Sequence, residues 1–227
     1  MPDLGPLVPA LAIALLALVL IWFALGTQLN VRRGNRVLAW LQEGLPALGP
    51  RATLRWLGSS VAALSIVQPA APYRGADVLV VLEPRDLGLL WALARRRGRR
   101  DVIILRLNLL RAPRFGADLV YPQGWSPGGT RSSDQLTEVG ERTASNGRVY
   151  RVRDDGRAPR AELAQQWDAL ERASGGVWLL TVSQTIPHLE VHVLPPDPRE
   201  SGSARLFSAV HELAQLVSAP SAQPPGW

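Results

Sequence analysis

Residues 7–25 read LVPALAIALLALVLIWFAL, nineteen positions without a charge or a side-chain amide. Wound as an α-helix they extend about 28 Å, against a bilayer hydrocarbon core of about 30 Å. Pro9 falls in the first turn, where a missing N–H costs little. Trp22 and Phe23 stand near the far end, where an aromatic belt meets the headgroups. Residues 1–30 are therefore predicted to form an N-terminal transmembrane anchor.

Flanking charge orients the anchor. Only Asp3 precedes the apolar run, whereas Arg32, Arg33 and Arg36 follow it, and arginines beside a span stay cytoplasmic. The expectation is a single-pass cell-membrane protein with its N-terminus outside and its soluble region in the cytoplasm. A cleaved signal peptide is the competing reading, because Ala24-Leu25-Gly26 supplies small residues at the positions a signal peptidase reads. The absent basic n-region and the length of the apolar stretch speak against it.

Working outward, the chain beyond residue 30 is long enough to build a sizeable core, and 47% of the 227 residues are hydrophobic. All 25 basic residues are arginine and cysteine is absent. That excludes disulfides, thiolate chemistry, Schiff-base lysines and a lysine-containing phosphate loop. A GC-rich genome accounts for the arginine bias. Charge is uneven: residues 31–116 hold fifteen arginines and five acids, net +10, while residues 117–227 hold ten arginines and thirteen acids, net −3. The expected organisation is a basic membrane-proximal α+β unit over residues 31–122, a linker or long loop over 123–147, a second α+β unit over 148–218 and a disordered tail over 219–227.

Periodicity supplies the elements. A helical stripe runs through residues 35–48 at Val37, Leu38, Leu41, Leu45 and Leu48. Strands are predicted near residues 53–57, 61–67 and 77–82, the last a run apolar on both faces that belongs inside a covered sheet. Asp86 is placed to cap a helix ending at Arg97 and Gly98, and VIILRLNLL from Val102 reads as a strand. The second half follows suit, with a strand at 148–153, a helix at 160–173, strands at 177–183 and 188–194, and a helix at 204–217. The element order suggests two ferredoxin-like αββα units, or one sheet formed by internal duplication, with helices on one face.

Two constellations could carry chemistry. His188, Glu190 and His192 alternate along a strand and so share one face, the pattern of a two-histidine, one-carboxylate metal site. Leu189, Val191 and Val193 form the opposite face, which equally describes a half-buried strand with its polar side in water, and that is the expectation. Arg95, Arg96, Arg97, Arg99 and Arg100 end the helix that starts near Asp86. They complement the helix dipole, and near an anionic surface each adds on the order of 1 kcal/mol. With Arg32, Arg33 and Arg36 they are the candidate contacts for anionic lipid headgroups or a partner. Trp56 and Trp91 are expected in the core, and Trp40 in the core or at the interface.

No catalytic set is assembled, and no cofactor or metal is expected. The expected function is a non-enzymatic, membrane-anchored accessory protein that touches the bilayer, anionic headgroups and a protein partner. The alternatives are a membrane-tethered nucleic-acid binder, disfavoured because the aromatic-rich RNA-recognition strand is missing, and an enzyme built on the His188 strand.

Overall fold

The computed structural model describes residues 7–124, 136–197 and 202–219. The tail beyond residue 219 and residues 125–135 of the expected linker lie outside the described residues. Helix α1 runs without a break from Leu7–Gly44 and closes in a 3-10 turn at Leu45–Ala47. The apolar run and the juxtamembrane stripe, read from the sequence as separate elements, are thus one rod. Its two parts have different surroundings. From Val8 to Leu25 every residue is exposed, whereas Val37, Leu38, Trp40 and Leu41 are buried.

Strands β1 (Ala52–Trp56), β2 (Val61–Ile66), β3 (Tyr73–Val81) and β4 (Val102–Leu109) form a meander, with helix α2 (Gly88–Arg96) between β3 and β4. Strands β5 (Ala117–Val120), β6 (Thr137–Thr143) and β7 (Val149–Asp154), helix α3 (Arg160–Ala173), strands β8 (Val177–Val182) and β9 (Leu189–Val193) and helix α4 (Ser203–Ser218) complete the chain. Among the described residues all nine strands join one antiparallel sheet in the order β1-β2-β3-β4-β9-β8-β5-β7-β6.

The α+β class is as expected, but a ferredoxin-like duplication is not confirmed. Helix α3 carries the chain from β7 to β8 across β5, a split β-α-β crossover, whereas α2 returns it from β3 to the adjacent β4. The halves do not share a topology. The β4–β9 ladder also stitches the two expected units into one sheet over one hydrophobic cluster.

Register explains the faces. Leu64, Val78, Leu105, Val191, Leu180, Leu119 and Val152 pair in one continuous row and all belong to the main core, beneath α4, α3 and the lower half of α1. The adjacent row reads Thr53, Ser65, Asp77, Arg106, Glu190, Thr181, Asp118, Arg153 and Glu138, one polar residue from each strand. Because side chains alternate across a strand, this row lies on the face turned from the helices.

Strand β6 falls within the stretch expected as a linker. All seven of its residues are exposed at the sheet edge, so nothing forces an apolar alternation on it, and Gly140 sits at a positive φ in a register shift.

Candidate functional site at the membrane-proximal end

The residues that decide how α1 meets the sheet lie just past the end of β3 and just before β4. Val81 pairs with Val102, so the next positions outward bring Glu83 and Asp101 together at the sheet's end. Asp101, almost fully buried, accepts the Glu83 backbone N–H at 2.8 Å, both terminal nitrogens of Arg85 at 3.1 Å, and Arg33 Nε from α1 at 3.2 Å. The Glu83 carboxylate, 2% exposed, accepts from Arg95 Nη1 at 3.1 Å and from the Trp91 indole N–H. Arg85 also donates to Asn30 Oδ1 at 3.3 Å. Carboxylates buried this deeply survive only when charge-paired and hydrogen-bonded, and each has a fork of donors around it.

This network reassigns the candidate arginines. Arg33 and Arg95 are tied to Asp101 and Glu83, and with Arg100 they line a pocket of about 310 Å³ that also holds Arg85. Arg100 turns back to donate to the carbonyls of Arg95 and Arg99 at 3.0 and 2.7 Å. Burial pushes the Arg99 guanidinium down, against the pull of Glu83 and Asp101. Arg32, Arg36, Arg96 and Arg97 are exposed. The five arginines at the end of α2 therefore do not form one basic plane.

Asp86 does not cap α2. The N-cap is Leu87, without a side-chain hydrogen bond, and the Asp86 carboxylate accepts the Ser59 hydroxyl at 2.8 Å instead. Trp91 is likewise not a core residue. It is half-buried on α2, held by its bond to Glu83 and by the Arg95 guanidinium 5.8 Å from its ring centre.

The His188, Glu190 and His192 row was expected to face water, and the structure corrects this. His192 is fully buried, and His188 and Glu190 are 8 and 9% exposed. His192 Nε2 lies 2.7 Å from Glu190 Oε1, and Glu190 pairs with Arg106 at 3.3 Å. Burial works to raise the Glu190 carboxyl, but the His192 bond and the Arg106 charge outweigh it and hold it below the usual range. His188 Nδ1 accepts the Leu109 N–H at 2.9 Å, and burial pushes its imidazole down. His192 and Glu190 are thus bonded to each other, and His188 is engaged separately with the β4 backbone. Among the described residues no group of three or more histidines and acids is placed to hold a metal.

No protein-family profile matches the chain, and no curated protein matches it at a significant level.

Sequence reasoning missed Glu83, Arg85, Asp101 and Asn30. A signal for the first three was present: charged residues flank two apolar strands, VLVVL and VIIL, at the end where they neighbour each other. Asn30 offered none, since its partner is 55 residues away.

Proposed function

We propose that this chain is a single-pass membrane protein whose nine-stranded domain stands on the cytoplasmic surface as a non-enzymatic, partner-binding accessory module of a membrane complex. One observation carries the reading: among the described residues a single helix is long and apolar enough to cross a bilayer, its most apolar stretch is wholly unburied, and the same helix continues into the core of the domain. Isolated in water, that stretch would leave eleven large aliphatic and aromatic side chains between Val8 and Phe23 exposed, far beyond the scattered apolar exposure of soluble proteins.

Continuity with the core gives the anchor a mechanical meaning. A flexible linker would leave the domain free to tumble beneath the membrane. Here Arg33, Arg85 and Asp101 clamp the helix to the sheet just below the apolar run, so the domain keeps one orientation. The exposed Arg32, Arg36, Arg96 and Arg97 meet anionic headgroups on the cytoplasmic side, in keeping with the charge asymmetry of the sequence.

Alkaline carbonate extraction of native membranes tests the anchor: the full chain stays in the pellet and yields only to detergent. A freely soluble product with its N-terminus at Thr27 would refute it. Cross-linking in native membranes followed by mass spectrometry tests the accessory role by recovering a reproducible protein partner. For the lipid contact, anionic lipid should co-purify with the detergent-solubilised chain and fall away when Arg32, Arg36, Arg96 and Arg97 are replaced by glutamine. Equal lipid content in both would remove that part of the reading.

A further inference from the structure

Helix α2 carries its apolar side outward. Leu89 is 86% exposed, Leu87, Leu90 and Leu93 are each close to half exposed, and no residue of the helix is buried. A short helix on a soluble domain is held by burying such a stripe, yet this one is held by polar bonds on its other side, from Trp91 and Arg95 to Glu83. The leucines are left for another partner.

Their position identifies it. Gly88 packs against the Trp22 indole so closely that a Cβ there would collide with the ring, and Gly26 meets the Arg85 carbonyl in the same way. The two helices enclose an apolar cleft of about 810 Å³, walled by Leu18, Val19, Trp22 and Phe23 on one side and by Leu87 and Leu90 on the other. Trp22 lies three residues before the apolar run ends, about 4.5 Å along the helix axis. If α1 spans the bilayer, the start of α2 sits at the boundary between acyl chains and headgroups.

Charge fits the same surface. Of the acids nearest to α2, Glu83 and Asp101 are buried in their arginine pairs, and Asp86, which lines the cleft, has its carboxylate bonded to the Ser59 hydroxyl. What α2 presents outward is leucine along its length and Arg96 and Arg97 at its end, the composition of a helix lying in a membrane interface.

We propose that α2 is a second membrane-embedded element, lying in the interface beside α1 with its leucines among the acyl chains of the same leaflet, so that the domain rests on the bilayer by two helices. The proposal rests on the reading of α1 as a span, and adds to it a lipid-filled cleft and a fixed depth for the domain.

The chain has no cysteine, so single spin labels can be placed in the full protein without other changes. Leu89→Cys and Leu93→Cys report on α2, Ile13→Cys on the span, and Ser145→Cys on the exposed β6–β7 turn. Each is reconstituted into vesicles of phosphatidylcholine and phosphatidylglycerol, and collision with oxygen is compared with collision with a water-soluble nickel chelate. Labels at 89 and 93 should resemble the label at 13, favouring oxygen and excluding nickel several-fold relative to position 145. If 89 and 93 behave like 145 while 13 reads as lipid, the span stands and the proposal for α2 is overturned. If 13 also reads as water, the span fails and takes the proposal with it. Labels at 89 and 93 shielded from both reagents would show protein on the leucines, and would overturn the lipid assignment.

Discussion

Replacing Asp101 by alanine removes the one carboxylate that joins α1, the β3 end and Arg85. The backbone N–H of Glu83 loses its acceptor, Arg33 loses its bond to Asp101, and Arg85 keeps only the Glu83 carboxylate at 3.7 Å and Asn30. Breaking a buried ion pair by deleting one partner costs about 3–5 kcal/mol. Arg33 and Arg85 keep 33% and 19% of their side-chain surface in contact with solvent, so screening trims the electrostatic part and leaves about 2–4 kcal/mol. For a domain of this size each kcal/mol lowers Tm by about 2–4 °C, so the expected fall is about 5–15 °C. Asp101→Asn keeps an oxygen for the Glu83 N–H and loses only the charge, so its fall should be about half as large. Thermal unfolding of the full chain in detergent micelles, followed by far-ultraviolet circular dichroism, measures both. If both variants melt within about 2 °C of the parent, the network does not hold α1 to the sheet and the rigid-clamp argument is wrong.

Three further outcomes follow from the packing and the buried titratable groups. Gly26→Leu drives a side chain into the Arg85 carbonyl; overpacking of this kind costs about 1–3 kcal/mol, so an unchanged Tm would mean that α1 and the segment leading into α2 do not touch there. Burial pushes the Asp118 carboxyl up, opposed by the Thr181 hydroxyl and the Arg153 charge. Its stabilising contribution is therefore complete below the unfolded value of about 3.9 and lost as pH rises through the folded one. Asp118→Asn should accordingly melt higher than the parent at pH 7 and equally at pH 4, and a lower melting point at pH 7 would contradict this. His188 shifts the opposite way for a base, its imidazole held neutral by burial. Stability it contributes is present above about pH 6.5 and lost as pH falls through its lower folded value, and His188→Gln should flatten that part of the Tm–pH curve.

Much of the local structure was legible because its causes are local. A 3.6-residue apolar stripe predicts Leu163, Trp167 and Leu170 on α3, and these are buried. The run VLVVL predicts a strand inside a covered sheet and VIILRLNLL predicts a further strand, and as β3 and β4 both sit inside the sheet. Strand β6 was not legible, since an edge strand with both faces in water needs no alternation. Strand β5, only four residues long, lacks the length that periodicity requires. The His188 strand misled for a different reason. Alternation of polar and apolar residues separates two faces but does not say which is covered, and here both are.

By itself the sequence determined that one helix is long and apolar enough to cross a bilayer, that the chain mixes α and β, and that positive charge gathers in the half nearer that helix. Each of these depends on composition and on neighbours a few residues apart. Only the tertiary structure decided that the apolar run and the core helix are one rod, and that all nine strands make one sheet. It alone tied the candidate arginines 33 and 95 to Asp101 and Glu83 and turned the α2 leucines outward beside Trp22. The pairing of Arg33 with Asp101 spans 68 positions, and no periodicity along a chain records which distant carboxylate an arginine will meet.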